Sequence, residues 1–384
     1  MKRFPLRTAL AAALLCTTVS VSAKTLVVCT EASPEGFDIV QFTTAVTADA
    51  SAETILNRLA DFAPGTTDVE PALAERWDIS PDGLEYTFHL RPDVKFHTTD
   101  YFKPTRTLNA DDVVWSFQRQ LDPNHPWHKL SLVGYPYFES MGFKDLLKSV
   151  EKVDDLTVKI TLNHPEAPFL RDVAMPFNSI YSAEYADQLL KSGKTADLNA
   201  KPIGTGPFIF VRYNKDAQVR FKANPDYFRG KPPSDALIFA IATDSNVRLQ
   251  KLKANECQIA LYPKPDDVKN IRKDPNLKVD ELSALMTSYI SMNTSHKYLS
   301  DVRVRKAIDM AFDKQTYLNS VHGEGNALLA VNPYPPTMLG YNTSIQRPPR
   351  DLDKARALLK EAGVPEGTVL TLFTRNGGGP TNPN

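Results

Sequence analysis

The chain lacks the marks of several protein classes. Its 384 residues carry 45 basic and 45 acidic side chains, so no basic excess of the kind usual in nucleic-acid binders is present. Hydrophobic residues make up 42% and charged residues 23%, which excludes disordered, collagen-like, coiled-coil and multi-span membrane proteins. Proline, at 29 residues, is abundant and predicts many fixed loops. The length is typical of roughly two to three domains.

Catalytic and metal-binding motifs are also absent from the sequence. It contains no G-x-S-x-G, H-E-x-x-H, Walker A or G-x-G-x-x-G pattern. Gly204-Thr205-Gly206 is too short for a phosphate cradle, and Pro207 removes an N–H donor, so a structural turn against another backbone is favoured over a ligand site. His125 and His128 have no nearby cysteine or carboxylate pair, which predicts a solvated loop. The residues therefore indicate no catalytic site, no metal and no cofactor.

The N-terminus has the organisation of a cleavable export signal. A basic start at residues 2–7 precedes the apolar stretch 8–16, which is too short to anchor the chain in a bilayer. Val21 and Ala23 provide small residues before the expected cleavage point. We predict a signal peptide over residues 1–23 and a mature chain from Lys24, with a buried N-terminal helix as the alternative. The mature chain would carry 42 basic (45 − 3) and 45 acidic residues.

Export changes the meaning of the cysteine count. Of three cysteines, Cys16 would leave with the signal, and Cys29 and Cys257 would remain. Two cysteines in an oxidising compartment favour one disulfide over two buried thiols. It would close a loop of about 230 residues, for which the chain-entropy relation gives on the order of 5 kcal/mol.

Strands and helices are mixed along the chain without a regular βαβ period, which predicts a mixed α/β fold. Alternating or continuous apolar residues predict strands, and acidic or amide caps predict helix starts. The predicted strands lie at 25–29, 86–90, 158–162 and 369–373, and the predicted helices begin after Asn109, Asp301 and Asp351, the last ending near Gly363. By elimination, these features indicate an exported, soluble α/β binding protein.

Several segments resemble the family 5 extracellular solute-binding proteins of ABC importers, in the same order along the chain. These segments are KTLVVCTEASPEGFD (24–38), ALAERWDISPDGLEYTFHLRPDVKFH (72–97), LNADDVVWSFQRQ (108–120), PEAPFL (165–170), PIGTGPF (202–208), NECQ (255–258), PPTMLGYN (335–342) and DKARALLKEAG (353–363). The resemblance covers residues 24–384. It is very specific for the family and fairly specific for its dipeptide and peptide branch.

The resemblance implies a fold and a function. It implies a two-lobe clamp, with lobe I and an inserted subdomain over residues 24–283 and the start of an incomplete lobe II over 284–384. It implies a disulfide between Cys29 and Cys257. It also implies a periplasmic, monomeric binding protein that captures a small peptide, delivers it to an inner-membrane ABC permease, and is not an enzyme. We expect no nucleic acid among its partners.

Ligand-binding residues also follow from the resemblance. Phe42, Thr43 and Thr44 match the family's ligand-facing loop, although a capped turn is an equal alternative for any single residue. Tyr289 lies where the chain is expected to cross between lobes. We therefore expect these four side chains to contact the ligand.

The charged ligand anchors of the family are matched less directly. Its dipeptide binders hold the ligand carboxylate with an arginine, and the aligned position here is Gly379, so Arg375 is the nearest candidate. The aspartate that binds the ligand amine falls beyond Asn384. Other ligands stay open, namely a longer peptide, a glutathione-like molecule or haem. An exported hydrolase and a truncated, non-transporting product are the remaining alternatives.

Overall fold

The computed structural model describes residues 24–131, 133–282, 284–338 and 340–373, and within them the fold is mixed α/β, as predicted. The predicted signal peptide lies outside the described residues. The strands are β1 (Thr25–Thr30), β2 (Ala60–Phe62), β3 (Val69–Pro71), β4 (Ala74–Ile79), β5 (Glu85–Leu90), β6 (Leu147–Asp154), β7 (Thr157–Leu162), β8 (Phe208–Asn214), β9 (Gln218–Ala223), β10 (Ala236–Ile241) and β11 (Ile259–Ala260). The helices are α1 (Ala45–Ala50), α2 (Ala110–Leu121), α3 (Pro136–Ser140), α4 (Phe143–Leu146), α5 (Phe169–Val173), α6 (Ala183–Ser192), α7 (Asp197–Ala200), α8 (Ser245–Lys253), α9 (Pro265–Ile271), α10 (Val302–Ala311), α11 (Lys314–His322) and α12 (Leu352–Glu361). Short 3₁₀ turns lie at Ile39–Gln41, His128–Leu130 and Pro176–Asn178.

The predicted helix starts are confirmed by their caps. The Asn109 side chain accepts a hydrogen bond from the backbone of Asp111, and Asp112 accepts one from the Asn109 backbone, which makes a capping box at the start of α2. Asp301 and Asp351 cap α10 and α12 through their side chains, which accept from the backbone N–H groups of Arg303 and Lys354. Each cap satisfies an N–H group that a helix start otherwise leaves without a partner.

One predicted strand is wrong. Residues 369–373 have the apolar composition of a strand, but no strand is assigned to them. Val369 is 85% exposed and Phe373 is 91% exposed. A β-strand is stable only when a neighbour completes its hydrogen-bond ladder, and no described strand pairs with this segment.

The chain divides into two compact units. The first contains the described residues 24–28, 33–63 and 67–241, and the second contains 29–32, 64–66 and 242–373. The division into lobe I at 24–283 and lobe II at 284–384 stays a prediction.

The first unit contains a four-stranded antiparallel sheet with a helix on it. Its strand order is β4–β5–β7–β6, and α2 contacts β6 and β7. Phe88 of β5 lies opposite Val158 of β7, and both are fully buried. The alternation predicted for β5 and β7 is confirmed, since every second residue of each strand is buried. This sheet and helix form the framework that carries the candidate site.

A second sheet of the first unit has the order β1–β10–β9–β8. Strands β8, β9 and β10 are antiparallel, with Phe210 opposite Phe221 and Phe239 opposite Val219. The aromatic rings of Phe210, Phe221 and Phe239 pack edge to face along this sheet. Only the C-terminal half of β1 is buried, and its first three residues are exposed or half-buried.

The regular secondary structure of the second unit's described residues is mostly helical, in α8 to α12. Within this unit, the Leu261 N–H donates to the Cys29 carbonyl at 3.1 Å. Helices α10 and α12 pack together through a small core of Ala307, Met310 and Ala355. Among the described residues, no helix combines the length and apolar character that crossing a membrane requires.

Candidate functional site

The predicted ligand-facing residues Phe42, Thr43 and Thr44 form one loop of the first unit. The loop begins where the 3₁₀ turn Ile39–Gln41 ends and finishes at the start of α1. Phe42 is half-buried, whereas Thr43 and Thr44 are exposed. The Phe42 N–H donates to the Ile39 carbonyl at 3.0 Å, which closes the turn before the loop. The Thr43 side chain is therefore presented to solvent next to a hydrogen-bonded turn.

A hydrogen-bonded group fixes the far end of the loop. The Thr44 hydroxyl lies 2.7 Å from Glu35 Oε2 and 2.8 Å from Thr47 Oγ1, and the Glu35 N–H donates to Thr47 Oγ1 at 3.0 Å. Thr44 is also the N-cap residue of α1, although its side chain makes no capping bond. Its hydroxyl is thus used to join the loop to Glu35. Thr44 therefore holds an N-cap position without a side-chain cap, and ligand binding there stays a prediction.

The segment before the turn is held by Asn199. The side-chain oxygen of Asn199 accepts hydrogen bonds from the N–H groups of Phe37 and Asp38 at 2.8 and 2.9 Å. A Cβ atom at Gly36 would lie 2.1 Å from the same oxygen, so any other residue there would displace the Asn199 side chain. The backbone of residues 36–38 is therefore fixed immediately before the turn begins.

A buried ion pair lies beneath the turn. The guanidinium of Arg119, on α2, donates to both oxygens of Asp38 at 3.1 and 2.6 Å. Both side chains are 2% exposed. Gln41, at the end of the turn, also donates to Asp38 Oδ2 at 2.6 Å. A buried charge without a partner is costly, so Asp38 and Arg119 constrain each other strongly.

Aromatic rings enclose the Arg119 guanidinium. Its central carbon lies 5.2 Å from the ring centroids of Trp115 and Tyr181 and 5.9 Å from that of Tyr135. Burial by itself lowers the pKa of Arg119, but the negative charge of Asp38 more than reverses this effect, and the pKa is raised. Burial raises the pKa of Tyr181 well above its usual value. Arg119 is thus charged, and Tyr181 neutral, across the physiological pH range.

The other predicted ligand residues lie elsewhere. Tyr289 belongs to the second unit, and its side chain is 80% exposed. Arg375 and Gly379 lie outside the described residues. Ligand contact by Tyr289 and Arg375 stays a prediction.

The disulfide between Cys29 and Cys257 is present, as the resemblance implied. The two Cα atoms are 5.9 Å apart, and 228 positions separate the residues in sequence. Both cysteines are buried, at 0% and 1% exposure. Neither sulfur is therefore available as a nucleophile or a metal ligand.

The Gly204-Thr205-Gly206 turn is structural, as predicted. The Gly206 N–H donates to the Ile55 carbonyl at 2.8 Å, and the Thr205 hydroxyl donates to Asn57 Oδ1 at 3.0 Å. A Cβ atom at Gly204 would lie 2.1 Å from the Ile55 carbonyl oxygen. Glycine is needed because the two backbones approach too closely for any side chain.

The expectation of a solvated loop holds in part for the histidine pair, since Asn124 and Pro126 of this loop are exposed. His125 and His128 are both half-buried. His128 Nδ1 lies 3.0 Å from the Arg119 carbonyl oxygen, which it donates to, and the His125 ring packs on Trp115. The pair lies against α2 because the loop folds back over the end of that helix. Among the described residues, no group of three or more His, Cys, Asp or Glu side chains could hold a metal ion.

A surface groove adjoins Glu35 in the first unit. Its volume is about 500 Å³, and its walls include Glu35, Asp100, Lys201, Arg212 and Tyr213. Two acidic and two basic side chains balance each other, so the groove has no strong preference for one sign of charge. Its size is within the range of small-molecule sites.

Sequence reasoning missed the residues that hold the loop in place. In the sequence, Asp38 only ends the matching segment 24–38, and Arg119 only lies within the matching segment 108–120. Because 81 positions separate them, no local pattern pairs them. An alignment showing that both positions change together could have found the pair.

Comparison with known proteins identifies relatives that span the chain. The model of the bacterial extracellular solute-binding proteins, family 5, matches residues 68–383. Di/tripeptide-binding protein 4 of Pseudomonas aeruginosa (strain UCBPP-PA14) is 66% identical over 384 residues, which is 100% of this chain and 71% of that protein. The periplasmic binding protein DppA of Helicobacter pylori, associated with an ABC transporter and solved with the peptide STSA, has a TM-score of 0.83 at 40% identity, covering 89% of this chain and 67% of that one. The dipeptide binding protein of Pseudoalteromonas sp. SM9913, solved with Met-Leu, has a TM-score of 0.82 at 34% identity, covering 88% and 67%.

Proposed function

The chain belongs to the bacterial extracellular solute-binding proteins, family 5, and we propose that it is the peptide-binding component of an ABC importer. Members of this family bind solutes and do not catalyse reactions on them, so the function is one of binding. The observation that carries the proposal is the 66% identity, over all 384 residues, with a protein named for di- and tripeptides. The ligand class we propose is accordingly a short peptide with free termini.

We also propose a compartment and a partner. The sequence pattern of residues 1–23 supports export to the periplasm with removal of that segment. The disulfide between Cys29 and Cys257 is compatible with an oxidising compartment. The mature protein would act as a monomer and deliver its peptide to an inner-membrane permease.

The proposed mechanism is capture by closure of two lobes around the ligand. A ligand shifts an open–closed equilibrium only by as much as it binds the closed form better. Contacts from both lobes supply that difference, and the permease recognises the closed form. We propose Phe42, Thr43 and Thr44 as contacts from lobe I and Tyr289 and Arg375 as contacts from lobe II.

The chemistry of the exposed loop suits a peptide. The Thr43 hydroxyl can both donate to and accept from a peptide group, and the half-buried Phe42 ring offers an apolar surface to a side chain. Glu35, bonded to the Thr44 hydroxyl, adds a carboxylate near the loop. A peptide ammonium buried here would need such an opposite charge.

The proposal is tested by calorimetric titration of the mature protein with di- and tripeptides. Glutathione, haem and free amino acids serve as competing ligands, and N-acetylated and C-amidated dipeptides test the need for each charged terminus. We expect binding of free peptides, loss of affinity on blocking either terminus, and a decrease in the radius of gyration by X-ray scattering. Tight binding of haem or glutathione in place of every peptide would refute the proposed ligand class.

The loop is tested by Thr43→Ala, with Thr98→Ala as the matched control. Both threonines are exposed and belong to the first unit, but Thr98 lies outside the loop. Losing one hydrogen bond to a ligand costs about 1 kcal/mol, so we expect Thr43→Ala to weaken peptide binding roughly fivefold. Thr98→Ala should leave the dissociation constant unchanged. Equal affinities for the two variants would contradict a role for Thr43.

A further inference from the structure

We propose that Arg119 is a positioning residue for peptide binding, which acts through Asp38 on the loop Phe42–Thr44. The inference rests on the proposed function, since it assumes that the loop contacts the peptide. Arg119 itself is 1% exposed and is enclosed by aromatic rings, so direct contact with a ligand is excluded. Any effect of Arg119 on peptide binding must therefore act through Asp38, to which it is hydrogen-bonded.

The first step of the argument is the geometry of the ion pair. Two N–H groups of Arg119 meet two oxygens of Asp38, at 3.1 and 2.6 Å. Such a bidentate pair fixes the orientation of the carboxylate as well as its distance. Lysine has a single ammonium and cannot reproduce this fork. The aromatic walls hold the guanidinium itself, with Trp115 and Tyr181 each at 5.2 Å.

The second step is the connection from Asp38 to the turn. The carboxylate accepts from the Gln41 side chain at 2.6 Å, and the Asp38 carbonyl accepts from the Gln41 N–H at 3.0 Å. The Gln41 side chain is held in turn by the Ser131 hydroxyl, which donates to Gln41 Oε1 at 3.1 Å. Asp38 therefore fixes both ends of the turn Ile39–Gln41. The orientation of its carboxylate is set by Arg119.

The third step is the effect on the loop. Its C-terminal end is joined to Glu35 through Thr44, and its N-terminal end leaves the turn at Phe42. Thr43, between these points, has its place set by both attachments. If the turn loosens, the loop samples more conformations, and the peptide must pay the free energy of ordering them again. Affinity should then fall even in a protein that stays folded.

The experiment compares four variants of the mature protein. Arg119→Lys keeps a positive charge but loses the fork, and Arg119→Met removes the charge. Asp38→Leu with Arg119→Met replaces the whole pair by apolar groups, which often restores the stability that a broken pair loses. Arg106→Met is the matched control, because Arg106 pairs with the fully buried Asp112 at the other end of the same helix.

Three measurements are made on each variant. Urea unfolding followed by circular dichroism gives stability, calorimetry gives the dissociation constant of a dipeptide that the unaltered protein binds, and hydrogen exchange gives the protection of the Phe42 amide. We expect Arg119→Lys to weaken binding about tenfold and to speed exchange at Phe42. The double variant should regain the urea midpoint lost in Arg119→Met but keep the weakened affinity, since Gln41 still lacks its carboxylate. Arg106→Met should lower the midpoint and leave affinity within about twofold.

Affinity that follows stability in all four variants would overturn the inference. The same holds for unchanged exchange at Phe42 in Arg119→Lys. Failure of the unaltered protein to bind any di- or tripeptide would instead refute the proposed function, whatever the exchange at Phe42 shows. The ligand-free exchange measurement therefore separates the two failures.

Discussion

We expect the buried residue His97 to lower the stability of the fold as the pH falls below neutral. His97 is 2% exposed, and its Nε2 donates to the Gly206 carbonyl at 2.9 Å, so the ring is neutral with its proton on Nε2. Nδ1 is buried with no hydrogen-bond partner among the described residues. Burial, with the positive charge of Lys222 added, lowers the pKa of His97 to about 4, against the opposing effect of the bond to Gly206. Protonation is thus disfavoured in the folded chain.

The size of the effect follows from linkage. An unfolded histidine has a pKa near 6.5, so the unfolded state takes up a proton first as the pH falls. The stabilising contribution of neutral His97 to the free energy of unfolding is fully present above about pH 6.5 and is lost progressively toward pH 4. The difference of about 2.5 pKa units corresponds to about 3 kcal/mol in the acid limit, of which about 2 kcal/mol is lost between pH 7.5 and pH 5.

The assay compares the unaltered protein with His97→Gln, which keeps a side-chain donor near Gly206 but does not titrate. Urea unfolding at pH 7.5 and pH 5 is followed by tryptophan fluorescence. All three tryptophans, Trp77, Trp115 and Trp127, belong to the first unit, as does His97, so the signal reports on the unit concerned. His164→Gln, which alters an exposed ring, is the control.

We expect the unaltered protein and the control to lose about 2 kcal/mol more than His97→Gln between the two pH values. Comparing changes with pH removes the separate cost of the smaller side chain. If His97→Gln loses as much stability as the unaltered protein, burial of this ring is not the cause of its acid sensitivity.

Two further predictions concern covalent and steric constraints. Replacing Cys29 and Cys257 by alanine should lower the free energy of unfolding by up to about 5 kcal/mol, because the disulfide spans 228 positions. Dithiothreitol should lower the urea midpoint of the unaltered protein and leave that of the variant unchanged. Gly204→Ala should lower the free energy of unfolding by about 3 kcal/mol, because the new Cβ would lie 2.1 Å from the Ile55 carbonyl oxygen. Thermal unfolding measures this change, and an unchanged midpoint would contradict the close approach.

Local structure could be read from the sequence because its causes are local. Asn109, Asp301 and Asp351 each supply a side-chain acceptor next to N–H groups that need one, whatever the rest of the fold does. The alternation of β5 and β7 follows from having one buried face. The segment 369–373 has the same apolar composition but no described partner strand, and pairing is not a local property.

The candidate site was predictable in one part only. The loop Phe42–Thr44 could be proposed from the resemblance, and contact of its side chains with a ligand stays a prediction. The groups that hold it, Asp38 and Arg119, come from distant segments joined by tertiary packing. The sequence alone does not show whether a charged side chain is exposed to water or buried among aromatic side chains.

The disulfide has a consequence for the order of events during synthesis. A chain that emerges with its N-terminus first carries Cys29 unpaired until Cys257 appears, 228 residues later. Nearly all of the first unit, residues 33–63 and 67–241, lies between the two cysteines. The strands and helices of that unit are thus available for folding before the disulfide can form. Oxidation is therefore expected late, after most of the first unit has folded. Premature pairing of Cys29 with another chain would be the characteristic error of its biogenesis.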